Sequence, residues 1–244
     1  MFNGKYRLTE LFGIPIYVES SFLIILLIMA INAGSLSYGL GAAILLAISI
    51  IAHELGHALT AAAFGYKTRD ITISLLGGCA SLIALPRTAW KEFLTAIAGP
   101  AVSFVMSVLG FWLYRTAPTD NRWMLSMFYY LGAMNVMLGA FNLLPGFPMD
   151  GGRIFRSVMR IFYSRAKATL IAMWVGRIFA IYLGITGFET LIAGGSWGLV
   201  RIFIAVMIWR EGYREYLSAL QEERYRVWTQ EDFEARVSPP PYGR

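Results

Sequence analysis

Six runs of mostly apolar residues leave this chain few ways to fold. They lie at 21–33, 40–64, 93–114, 123–144, 169–191 and 197–209. A bilayer core of about 30 Å takes about 20 apolar residues of helix to cross. Runs of this kind predict a membrane all-α protein of about six transmembrane helices. The last run is short by this count and is expected to continue past Trp209. Composition agrees. Of 244 residues, 57% are hydrophobic and 15% charged, against roughly 45–50% and about 25% in soluble domains. That balance excludes a soluble enzyme, a disordered chain and a coiled coil. The net charge of +6 would suggest nucleic acid in a soluble protein. Here it reads as basic loops held beside anionic lipid, so the lipid bilayer is an expected partner and nucleic acid is not. A single cysteine, Cys79, rules out an internal disulfide.

The segments between the runs are less regular. Residues 1–13 carry Lys5, Arg7 and Glu10. No small-x-small site follows, so they are read as mature sequence rather than a signal peptide. Residues 13–18 are β-branched and weakly alternating, which predicts a short strand. Residues 72–85 are apolar but broken by Gly77 and Gly78. They predict a hairpin or re-entrant loop, part of a small membrane-associated sheet near the cytoplasmic face. Gly65 is expected to end the second helix. Two prolines and three glycines between Asn142 and Gly152 must break the fourth. The expected organisation is a membrane domain over 1–209 and a charged cytoplasmic helix with a disordered tail over 210–244.

Loop charges give the orientation. The loops after the first and fifth runs have no Lys or Arg. The loop after the second carries Lys67, Arg69, Arg87 and Lys91, and the segment after the fourth carries Arg153, Arg156, Arg160, Arg165 and Lys167. Alternate loops are basic, which predicts a multi-pass cell-membrane protein with both termini in the cytoplasm. Arg115 and Arg122, after the third run, blur the pattern slightly.

His53-Glu54-Leu55-Gly56-His57 holds the only two histidines. Residues four apart share one helical face. Two imidazoles so placed can hold one zinc ion, with Glu54 beside them as the base that takes a proton from water. Ionisable groups in an apolar helix usually mark function. Gly56 and the alanines at 58 and 61–63 let another helix approach closely.

Catalytic zinc usually takes three protein ligands, and no third histidine exists. Asp232 lies in the tail and Asp120 on the far side of the membrane by this map. Asp70 is on the right side, but on a short basic loop that favours a solvated role. Cys79 is a possible soft ligand, but a buried structural thiol is the favoured reading. Glu92 opens the third run and is expected to cap it electrostatically. Asp150 follows the broken helix end at the depth of the histidines, and Gly151 and Gly152 beside it let the backbone approach a metal.

HELGH in one span, followed far downstream by Asn142, Pro145, Pro148, Asp150, Gly151, Gly152 and Arg153, resembles the site-2 protease family of intramembrane zinc metalloproteases. Gly77-Gly78, Glu92 and Ala98-Gly99-Pro100 also match its spacing, and the resemblance covers roughly residues 10–215. It is nearest the compact six-span archaeal and sporulation-type branch, without a PDZ domain or a CBS pair. The resemblance implies one zinc ion per chain held by His53, His57 and Asp150, with Glu54 as catalytic base. It also implies cleavage within or near a transmembrane segment of a single-span substrate; the loop charges, and the need for water at the metal, predict that the site opens to the cytoplasm.

Asn135 and Asn142 are two turns apart, hence on one face, and with Gly77 and Gly78 are candidates for holding an extended substrate. A helix–helix hydrogen bond is the plainer use of either asparagine. Two rival functions remain. One is a non-hydrolytic membrane metal transporter or sensor, disfavoured by Glu54 and by the lack of further histidines. The other is the intramembrane HExxH protease type whose third ligand is a downstream glutamate, disfavoured by Asp150 in its Pro/Gly-rich break.

Overall fold

In the computed structural model, residues 4–32, 35–74, 77–83, 88–195 and 197–237 are described. β1 (Lys5–Leu11) and β2 (Ile14–Glu19) form an antiparallel hairpin. Its two-residue turn, Phe12-Gly13, has positive φ at both positions, the geometry that matches the twist of the flanking strands. α1 (Phe22–Asn32) and α2 (Leu36–Ala63) then carry the chain to β3 (Thr68–Ser74), which pairs parallel to β2. β4 (Gly77–Leu82) pairs antiparallel to β3, and the sheet order is β1-β2-β3-β4. α3 (Ala89–Thr116) and α4 (Arg122–Asn142) follow. These elements form one compact unit, Met1–Leu144.

The sheet exists because alternation works on one face. Ile14, Ile16, Ile71 and Ile73 turn inward and are buried. They pack on α2 through Ile50, Ile51, Leu55 and Ala58. Each such isoleucine contributes roughly 1.5–3 kcal/mol. The sheet is thereby fastened to the turns of α2 that carry the HELGH motif. α2 ends as expected: Gly65 has φ +84°, and Tyr66 N–H reaches back to Ala61 O at 3.0 Å, a glycine-terminated helix end.

The second unit is Pro145–Arg244. After a turn it holds α5 (Asp150–Met159), α6 (Arg165–Ile192) and α7 (Trp197–Val237). Ser164 caps α6 by accepting from Lys167 N–H.

Among the described residues, four helices are long and apolar enough to cross a membrane: α2, α3, α4 and α6. Their composition is inverted relative to a soluble bundle. The buried side of α3 is Glu92, Thr95, Ala96, Gly99, Pro100, Ser103, Ser107 and Gly110, while Val105, Val108 and Trp112 face outward. Small and polar residues inside with bulky apolar ones outside is the pattern of helices in lipid. The protein is a multi-pass membrane protein. The first expected run appears as α1, 11 residues, roughly 17 Å of helix at 1.5 Å per residue. The sixth is the start of the 41-residue α7.

Several local expectations change. Asp70 lies not on a basic loop but in β3, buried, because the hairpin begins at Thr68. Cys79 is exposed rather than buried. Strand alternation turns its neighbours Gly78 and Ala80 toward α2 and Cys79 away. α5 was not foreseen at all. Residues 75–76 and 84–87 of the expected hairpin and loop, and the expected disordered end at 238–244, lie outside the described residues.

Candidate metal centre

α2 carries His53, Glu54 and His57, all three buried. The two Nε2 atoms lie 3.2 Å apart, and the rings meet edge to face at a centroid distance of 4.9 Å. α3 sets the orientation of both rings. His57 Nδ1 donates to Thr95 O at 2.7 Å, and His53 Nδ1 is hydrogen-bonded to Ser103 Oγ at 2.9 Å. A neutral imidazole whose Nδ1–H is given to a carbonyl presents Nε2 as a lone pair, the form that binds a metal. Only glycine fits between the helices at this point. A Cβ on Gly99 would collide with His57 Nε2 and come within 2.8 Å of His53 Nε2.

Among the described residues, His53, His57 and Asp150 form a group whose ligand atoms all lie within 4.8 Å of one another. Two imidazole nitrogens and one carboxylate oxygen are a zinc donor set, so the residues fit the ion. Asp150 itself is buried at the first turn of α5.

Glu54 sits beside this group but faces the sheet. Its Oε2 accepts from Ala80 N–H of β4 at 2.9 Å. A Cβ on Gly78 would meet Glu54 Cγ at 2.6 Å and Oε1 at 2.7 Å. β4 therefore lies directly on this carboxylate, and only a glycine permits the approach.

Of the residues expected to bind substrate, Gly77 and Gly78 open β4. Asn142 Nδ2 donates to Leu138 O of its own helix at 3.0 Å. Asn135 is fully buried and donates to Ser49 Oγ on α2 at 2.8 Å and to Leu131 O. That is a helix–helix bond, one turn before His53. Asn135 Oδ1 has no hydrogen-bond partner among the described residues.

Asp70 is tied elsewhere. Burial pushes its carboxyl up, but hydrogen bonds from Arg69 and Ser81 and the charge of Lys5 outweigh this and hold it below the ordinary range. Lys5 Nζ lies 3.4 Å away, so Asp70 joins β1 to β3. Glu92 is buried in the first turn of α3, where the helix dipole favours a carboxylate.

Thr95, Gly99 and Ser103 were not recognised from sequence as the residues that orient the ligands. A signal was present: they recur every four residues, a small and polar stripe in an otherwise apolar helix. What it faced was not legible.

Comparison with known proteins gives the class. The chain belongs to the site-2 protease family, peptidase family M50, whose profile matches residues 41–119 and 116–183. It is similar to sll0528 of Synechocystis, provisionally named a zinc metalloprotease, at 36% identity over 97% of this chain and 66% of that protein. Zinc metalloprotease MJ0392 of Methanocaldococcus jannaschii is 31% identical over 91% of this chain and 61% of its own length. The chain thus spans less than two thirds of these relatives. The solved structure of a site-2 protease from Methanocaldococcus jannaschii superposes with a TM-score of 0.66 at 29% identity, covering 87% of this chain and 95% of that one.

Proposed function

We propose that the protein is an intramembrane zinc endopeptidase that hydrolyses a peptide bond within or near a transmembrane segment of a membrane protein. The observation that carries this reading is Glu54, a buried acid beside two oriented imidazoles on one apolar helix. An acid beside two metal-binding imidazoles supplies the base that a hydrolase needs for its attacking water, which favours hydrolysis over transport.

His53, His57 and Asp150 hold the zinc ion in this reading. A zinc ion bound by these three residues would supply a Lewis acid for the scissile carbonyl and a lowered pKa for water. Thr95 O and Ser103 keep the imidazoles in the orientation for binding. Glu54 takes the proton from the attacking water and returns it to the leaving amine. A substrate helix hides its peptide bonds in its own hydrogen bonds, so it must unwind locally first. β4, adjacent to Glu54, supports a role for Gly77 and Gly78 in receiving the extended segment by strand addition, and Asn142 and Asn135 are proposed to help hold it.

We further propose six crossings, with α1 and the apolar start of α7 beside the four long helices, and a membrane domain reaching about residue 209. The alternation of basic loops supports cytoplasmic termini and a cytoplasmic opening of the site. The test is comparison of membrane proteomes carrying the intact protein or Glu54→Gln. Uncut single-span proteins should accumulate with the variant; identical fragment patterns would remove the reading.

A further inference from the structure

Arg156 is the largest fully buried side chain among the described residues, 2% exposed. Its Nη1 donates to Glu215 Oε2 of α7 at 2.9 Å. Its guanidinium lies over the ring of Phe147, 4.9 Å from the centroid. Phe147, 1% exposed, stands three residues before Asp150. The intervening turn is tightly folded: Met149 N–H donates to Gly146 O at 3.0 Å and Gly152 N–H to Met149 O at 3.1 Å. A Cβ on Gly152 would meet Gly146 C at 2.7 Å. The turn, the first residues of α5 and Arg156 therefore form one stiff piece, and α7 grips it. The same face of α7 continues the grip. Glu222 pairs with Arg165 at 3.3 Å, and Glu223 accepts from Ala166 N–H at 2.8 Å at the start of α6.

We propose that the Arg156–Glu215 pair is a latch that holds Asp150 in register for the metal, and that Arg156 is a positioning residue. The inference rests on the reading of Asp150 as a ligand. Burying a guanidinium is a poor route to stability, since apolar replacements of buried ion pairs are often neutral or better. What a hydrogen-bonded, ring-stacked guanidinium supplies instead is one geometry. A carboxylate oxygen must sit about 2.0–2.2 Å from zinc, so a small drift of the turn is enough to lose the ion. The latch also makes α7 a lever on the metal, because moving Glu215 releases Arg156.

The experiment uses purified, zinc-loaded full-length chain. Zinc loss to excess chelator is followed for the unaltered protein, Arg156→Met, Glu215→Gln and Asp150→Ala. Amide exchange over residues 146–152 is followed in the metal-free proteins. Arg156→Met and Glu215→Gln should lose zinc about tenfold faster or more, with faster exchange over 146–152, at a temperature where both variants remain folded. Zinc loss at the unaltered rate in Glu215→Gln overturns the latch, as does a lowered midpoint without faster zinc loss. Should Arg156→Met fail to fold, Glu215→Gln decides, because Glu215 is partly exposed. Asp150→Ala separates the two readings. Unaltered zinc retention there overturns the ligand assignment and the latch with it, whereas zinc loss there alone overturns only the latch.

Discussion

Ser103 is hydrogen-bonded to His53 and Thr95 to His57, and the consequences differ. Thr95 acts through its backbone carbonyl, so its side chain can be changed without loss of the bond. Ser103 acts through its hydroxyl. Ser103→Ala is expected to weaken zinc binding about 10–100-fold, and Thr95→Val much less, measured by chelator competition. Gly99→Ala should fare worse than either, because a methyl would stand where the imidazole nitrogens are. Glu54→Gln separates binding from chemistry. The amide keeps the shape but cannot accept a proton, so zinc should remain while cleavage falls by about 10²-fold or more. Metal loss in that variant would show Glu54 to be a ligand. Outside the spans, Glu215 sets an acid limit. Burial pushes its carboxyl up, but the charges of Arg156, Arg153 and Arg165 outweigh this, and the net direction is down. A group lowered in the folded state gives its stability above its unfolded value and loses it as pH falls through the folded one. Stability should therefore decline below the ordinary glutamate range, and Glu215→Gln should flatten that decline in unfolding curves taken from pH 6 to pH 3.

The site is assembled by how elements approach. α2 supplies the motif, α3 the orienting groups, and β4 the backbone N–H that holds Glu54. Gly78 is where β4 and α2 meet, and no side chain fits there. Gly78→Val should push β4 off α2, leaving the histidines and their α3 partners untouched. Zinc should stay bound while cleavage is lost, read as metal content against turnover of a transmembrane substrate. Loss of zinc instead would mean that β4 supports the ligands themselves. The sheet's seat on α2 explains this separability, because its buried isoleucines reach α2 on the turns around the motif and not through the imidazoles.

At the scale of the molecule, orientation is the open quantity with the clearest measurement. Single cysteines near Lys67 and Arg160, in a background lacking Cys79, should react with impermeant reagents from the cytoplasmic side. One near Gly195, between α6 and α7, should react only from outside. Cytoplasmic labelling at 195 would mean that α6 does not end on the far side, and the six-span count would fall.

Periodicity and spacing alone determined much of this. Four apolar runs became the four long helices within a few residues at each end, because burying apolar length in lipid overrides local preference. HELGH put two imidazoles on one face because helix geometry is fixed. The break after Asn142 followed from prolines and glycines that cannot continue a helix. The sequence did not reveal β1, whose exposed, mixed residues have no pattern until a neighbouring strand supplies their hydrogen bonds. Nor did it reveal α5, whose ten residues are held by Arg156 and Glu215, 59 apart in the chain. It misjudged Asp70 and Cys79, because exposure within a strand depends on which face meets the helix. It missed Thr95 and Ser103, and what Gly99 makes room for, for the same reason. Helical repeat fixes which residues share a face, but only packing decides what that face touches.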